Sequence, residues 1–335
     1  MKRRDFAVTA LSSLTILAVP LDRRQTGSAQ VAAVREVVEA FSRADERFGG
    51  GHARPALERY LDTEVAARLR GGFARDTDRR AMTAAAAELT YLAGWKAFDS
   101  GAHEPARRHY LHALRLAEDA GDRALTGFVL RAMAHQAVDR GHGQAALDLA
   151  SAARSHAHGH ATPAATALFT ILTARGHAAT GDRVRALAAI RAAEALLGRS
   201  RLAEEPGWIR TSGFTGTSLA SQAGQALRDL GDLAGAEERF RTSIATRDGR
   251  AYPRIHALTC ANLADVQHSR GRPAEAVATW HLALDALPGV TSGRARAAVA
   301  AIRQRLREAG PRLPAYAQDL DRRVGPCLGG ASIAA

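Results

Sequence analysis

Residues 87–122 read AELTYLAGWKAFDSGAHEPARRHYLHALRLAEDAGD, and this stretch decides the fold. Ala87 to Asp99 has the pattern of a helix, Ser100-Gly101 that of a turn, and Pro105 to Ala120 that of a second helix. Pro105 suits a first helical turn, where a missing N–H costs nothing. Gly121-Asp122 closes the second helix, since glycine takes the left-handed cap freely. Gly94 in the first helix and Ala106 in the second are small enough to let the pair approach closely, and Tyr110 and Ala113 extend the seam.

The hairpin recurs. Gly101, Gly141, Gly181, Gly231 and Gly271 each follow an apolar helical stretch, and Ala106, Ala146, Ala186, Ala236 and Ala276 each follow five residues later. The steps are 40, 40, 50 and 40 residues. A period of this size marks stacked helix pairs, an architecture that holds partners more often than it makes or breaks bonds. The longer step crosses Gly198 to Gly216, where Pro206, glycines, Thr and Ser predict an extended loop. Upstream, Val31 to Phe48 and Pro55 to Leu69 carry apolar residues at helical spacing, broken by Gly49-Gly50-Gly51. Val290 to Ala309 suits a terminal capping helix, and 311–335 reads as a loose tail. The expected organisation is a signal-like or linker segment (1–30), N-terminal helices (31–80), five repeats with a cap (81–310), and the tail.

Composition agrees with an all-α class. Aromatics are 5% of the 335 residues, so packing must rely on Leu, Val, Ile and Ala, and strand-type alternation is missing. The net charge is +12, yet of the 46 basic residues only Lys2 and Lys96 are lysine. The arginines are spread along the chain, as the coding bias of a GC-rich genome would leave them, and a phosphate-tracking surface needs a dense stripe. Direct nucleic-acid binding by this chain is not expected. Cys260 and Cys327 lack a CxxC partner, so neither a disulfide framework nor a zinc site is expected.

The repeats resemble the tetratricopeptide repeat, with a small residue in the first helix, Gly at the turn, then Ala, an aromatic and Ala in the second. Gly94, Gly101, Ala106, Tyr110 and Ala113 carry the likeness, as do Gly224, Gly231, Ala236 and Phe240, and Ala264, Gly271, Ala276, Trp280 and Ala283. The second and third repeats keep the small residues and lose the aromatic. The resemblance implies a right-handed superhelical solenoid, here with a period nearer 40 than 34 residues. Arg47-Phe48-Gly49-Gly50-Gly51, Ala87-Glu88-Leu89, Ala93-Gly94-Trp95 and Asp99-Ser100-Gly101 further resemble the C-terminal sensor part of actinobacterial helix-turn-helix/tetratricopeptide transcription regulators, over about residues 31–310. That implies a cytoplasmic regulatory role. The 30 residues before Val31 are too few for a helix-turn-helix domain, so the expectation is a sensor or adaptor, or a regulator whose DNA-reading domain is lost or lies upstream.

The N-terminus offers another reading. Arg3-Arg4-Asp5-Phe6 resembles the twin-arginine export motif through Arg3, Arg4 and Phe6, and Ala7 to Leu21 is mostly apolar. That run is shorter than the ~20 residues a membrane span needs and has the length of a signal-peptide core. Export to the envelope therefore stands as the alternative to a cytoplasmic location.

In tetratricopeptide repeats the first helices line the concave side, which implies a ligand groove. Counting from the turn glycines assigns to it Glu88, Tyr91, Trp95 and Asp99; Arg131, His135 and Asp139; Arg175; Gln225, Arg228 and Asp229; and Asn262, Asp265 and His268. Amides there can bond a peptide backbone and Arg can grip a carboxylate, so the expected partner is a peptide or protein. No P-loop, Gly-x-Ser-x-Gly or His-Glu-x-x-His motif occurs. Neither an enzyme nor a cofactor or metal site is expected, and His156, His158 and His160 read as a solvated loop.

Overall fold

The computed structural model describes residues 25–201, 204–308 and 314–329. Arg3, Arg4 and Phe6 lie outside the described residues. Within them the chain is all-α, with an isolated bridge between Thr26 and Phe73. Helix α1 (Ser28–Phe48) leads into a continuous helical stretch, α2 (Arg54–Tyr60), a π-helical turn (Leu61–Val65) and α3 (Ala66–Arg70). Five helix pairs follow. They are α4 (Asp76–Asp99) with α5 (His103–Ala120), α6 (Arg123–Asp139) with α7 (Gly143–Ala157), and α8 (Pro163–Ala179) with α9 (Arg183–Leu197). After the short α10 (Gly207–Arg210) come α11 (Gly216–Asp229) with α12 (Leu233–Thr246), and α13 (Pro253–Ser269) with α14 (Pro273–Asp285). Helices α15 (Gly293–Glu308) and α16 (Ala315–Gly329) end the described chain. None of the described helices is long and apolar enough to cross a membrane.

The turn between the helices of each pair follows from its glycine. Gly101, Gly141, Gly181, Gly231 and Gly271 all have φ between 75° and 83°, the left-handed region that side chains avoid. In three of the Gly-Asp dipeptides, Asp122, Asp182 and Asp232, the carboxylate accepts the N–H of the residue three positions on and caps the next helix. The seam predicted for the second helices is fully buried, from Ala106, Tyr110 and Ala113 through Ala236 and Phe240. Opposite Tyr110 sits Gly94, where an added Cβ would lie 2.7 Å from the ring. Small residues therefore set how closely each pair approaches.

The first helices make a circuit. α1 packs on α4, α4 on α6, α6 on α8, α8 on α11, α11 on α13, and α13 back on α1. The backbone at the closing joint is tight. The Gly51 amide donates to the Thr291 carbonyl (2.9 Å) and the Thr291 amide to the Phe48 carbonyl (2.7 Å). A Cβ on Gly293 would stand 2.5 Å from the Ser100 carbonyl. Gly49-Gly50-Gly51, which the sequence offers only as a helix breaker, is a site of close backbone approach.

Two expectations need correction. The 198–216 stretch is not simply an extended loop. It carries α10, and Trp208, Ile209 and Phe214 are buried among the first helices, with the Trp208 ring 4.7 Å from that of Phe128. Such burial contributes about 1.5–3 kcal/mol per large side chain. The supposed loose tail holds α16, whose Ala317, Leu320 and Val324 share one face and cover Trp280, Leu284, Ile302 and Leu306. The glycines and Pro326 in the tail hide that stripe from a reading by composition.

The Gly293 contact is testable. Gly293→Ala is expected to destabilise the protein by about 1–3 kcal/mol in urea unfolding, since backbone rather than a side chain stands in the way. Gly325→Ala, where a Cβ meets open space, is expected to be neutral or slightly stabilising. Equal behaviour of the two would contradict the joint.

Candidate functional site

The circuit of first helices surrounds a cavity of about 870 Å³, within the range of small-ligand sites. Its lining gathers Glu88, Tyr91, Trp95, Arg131, His135, Asp139, Arg175, Gln225, Arg228, Asp229 and Asn262 from the sequence-predicted groove set. Three residues of that set lie elsewhere. Asp99 is fully buried at the closing joint. Asp265 pairs with Arg305 of α15 at 3.0 Å. His268 is exposed, its ring 5.8 Å from Trp280. Each step of three residues turns a helix face by roughly 60°, so residues after Asn262 rotate out of the cavity and under α15.

A buried ionic cluster closes one side. Arg254, at the start of α13, is fully buried and pairs with Asp45 of α1 (3.0 Å), Asp99 of α4 (3.2 Å) and Glu46 (3.6 Å). Lys96, also fully buried, sits 3.3 Å from Asp45 and donates to the His52 carbonyl. The Gly50 amide donates to Asp99 at 2.8 Å. Burial opposes the charge on Arg254, but the carboxylates around it outweigh that and hold its pKa up. Burial also opposes the charge on Asp99, and Arg254 and Arg294 with the Gly50 amide overcome it, holding the carboxyl low. Glu46 is the odd carboxyl here. Burial, with the Asp45 and Asp99 charges, pushes it up to about 7 despite Arg254. Two cations and two carboxylates thus balance, and a third carboxyl holds a proton into the neutral range.

A second cluster forms around Asp139, which receives Arg294 (2.7 Å), Arg175 (3.0 Å) and His135 (3.5 Å). Arg175 also donates to Gln222. Burial pushes His135 down to about 4, so it is neutral at pH 7. Arg228 bonds Asn262 (2.6 Å) and Asp229. Burial likewise pushes Glu88 up to about 7. The aromatic wall of Tyr91, Trp95, Phe98, Phe128, Trp208 and Phe214 lies beside these charges. Arg131 lies over Phe128, 4.4 Å from the ring centroid, and 5.9 Å from those of Tyr91 and Trp95.

Sequence reasoning missed Asp45, Arg254, Arg294, Arg247, Gln222 and the aromatic residues of the insertion. Asp45 did carry a signal, because it falls four residues after Phe41 on the apolar stripe of α1. Trp208 did too, as a large apolar residue inside a Gly/Ser/Thr-rich loop. His156, His158 and His160 are exposed, and among the described residues no group of three His, Cys, Asp or Glu could hold a metal ion. No protein-family model matches this chain, and no curated protein matches it.

Proton linkage gives a test of the cluster. Between about 4.5 and about 7 the folded protein keeps a proton on Glu46 that the unfolded chain has lost, so stability falls as pH rises through that window. His135 acts oppositely, since its folded value lies below 6.5 and stability is lost as pH falls from 6.5 towards about 4. Glu46→Gln mimics the protonated form. Its stability relative to the wild type is expected to be about 1–3 kcal/mol more favourable at pH 8 than at pH 5. A difference that does not change with pH would contradict the placement of Glu46.

Proposed function

We propose that this chain is a tetratricopeptide-type repeat scaffold that binds a peptide or protein segment on its concave side and serves as the sensor or adaptor arm of a regulatory system. The observation that carries the reading is the cavity. Eleven residues chosen from repeat register alone, spread from Glu88 to Asn262, line one space together with an aromatic wall. Independent solvated helix faces would have no reason to converge. The resemblance to the sensor part of helix-turn-helix/tetratricopeptide regulators points the same way, and a right-handed superhelical path is the form of stacking it implies.

The volume favours a short segment or a small ligand over a long extended peptide. Occupation would act by population shift. Ligand contacts span α4, α6, α8 and α11, and the circuit closes at α1 against α13, so a ligand that favours one spacing of the first helices changes the outer surface as well. Export by the twin-arginine route remains the alternative setting, supported by Arg3-Arg4-Asp5-Phe6. Lys substitution of both arginines with cell fractionation separates the settings.

The binding reading is tested by incubating the purified protein with the fraction of its host's soluble extract that passes a 3 kDa filter, a cut that keeps every solute small enough for the cavity, followed by native mass spectrometry. A retained species is expected, and Gln225→Trp, which fills the cavity from α11, is expected to abolish retention with the melting temperature preserved. Retention of nothing, or equal retention by Gln225→Trp, would overturn it.

A further inference from the structure

The charges around the cavity do not all cancel, and one unanswered charge, set among aromatic rings, points to a ligand. Arg254 faces Asp45 and Asp99. Arg175 and Arg294 share Asp139. Arg228 has Asp229. Arg131 is buried like Arg254 and Arg175, at 4% exposure, yet among the described residues it makes no ion pair with a carboxylate. Its one hydrogen bond is to the Tyr91 hydroxyl, at 3.2 Å, and its Nε–H is buried with no acceptor. The rings of Phe128, Tyr91 and Trp95 favour a cation and hold the guanidinium plane in place, but they supply no negative charge. A buried cation left in this state is stabilised by any anion that reaches it.

We propose that Arg131 is the anchor for a carboxylate on the ligand of this cavity, and that the ligand carries an apolar or aromatic body beside that carboxylate; this rests on the binding function proposed above. The planar guanidinium fork of Arg131 matches a carboxylate in two-point fashion. Arg247, a second cavity arginine with no ion pair among the described residues, stands beside Glu46, whereas Arg131 sits among the rings that an apolar body would fill. The neighbourhood selects the body. Phe128 packs against Trp208, and Leu168 and Leu172 also line the cavity. The guanidinium is also pre-organised, being stacked and bonded to Tyr91, so little freedom is lost when the carboxylate arrives. Two sources could present this chemistry, a free aryl or alkyl acid, or the C-terminal residue of a peptide.

Trp95 and Trp208 flank the position, so their emission reports on it. The probes are 3-phenylpropanoate and its carboxamide, and Ala-Ala-Phe with a free C-terminus and with a C-terminal amide. Both acids are expected to change the emission saturably, with each amide weaker by at least about tenfold, as loss of a charge-assisted bond requires. Tighter binding of the tripeptide acid assigns the peptide source, and tighter binding of 3-phenylpropanoate the small acid. Arg131→Gln is expected to bring acid and amide within about twofold of each other, while Arg131→Lys, which keeps charge without the planar fork, retains part of the preference. Circular dichroism checks both variants for folding, and the wild-type acid-to-amide ratio is decisive even if a variant fails. Equal binding of acids and amides by the wild type, no binding of any acid, or an undiminished preference in a folded Arg131→Gln overturns the carboxylate. If the extract-derived ligand still binds the wild type and not Gln225→Trp, the binding function survives that result. If it too is lost, both fall.

Discussion

Arg254 is the residue on which the arrangement turns. A guanidinium with no exposed surface is costly to bury, and it is tolerated only where opposite charge surrounds it. Here the carboxylates come from different parts of the chain, Asp45 from α1 and Asp99 from the end of α4. They become neighbours only when the first helices close their circuit. The ionic cluster is therefore better read as a device that selects one closure than as a source of net stability. The close backbone approaches at Gly50 and Gly293 belong to the same joint, since any Cβ there would hold the ends apart.

Closure explains the cavity. Stacked helix pairs left open would present their first helices as a solvated trough, where arginines and carboxylates are screened and weakly coupled. With α13 against α1, and the insertion's Trp208 and Phe214 seated on the wall, the same side chains lie in a confined, partly apolar space. Electrostatic interactions strengthen there. His135 is held neutral, Asp139 is held ionised by three partners, and the Arg131 charge goes unanswered within the protein. The chemistry of the cavity thus follows from how the ends of the array meet.

The repeated units were legible in the sequence because they are governed by local rules. A left-handed glycine, an Asp cap and small residues at fixed offsets each leave a residue-level mark at Gly101, Asp122 and Ala106, and repetition multiplies it. Tyr91, Arg131 and Arg175 were reachable because register alone places them on first helices. The closure was not legible. Nothing near Arg254 in sequence announces Asp45 or Asp99, which lie more than 150 residues away, and pairings at that distance are set by the accumulated geometry of the helices between them. The insertion and α16 were obscured for another reason. Glycine and proline recur in both, while a few apolar residues, Trp208, Phe214, Leu320 and Val324, decide where they pack.

The Arg254 cluster fastens α1 to the rest and so makes the cavity. Amide hydrogen exchange in Arg254→Met tests it most directly, because local opening is read helix by helix. Release of Ser28–Phe48 is expected, with protection there falling by at least about tenfold while the amides of α6 through α9 keep theirs. Wild-type protection across α1 in that variant would contradict this role of Arg254.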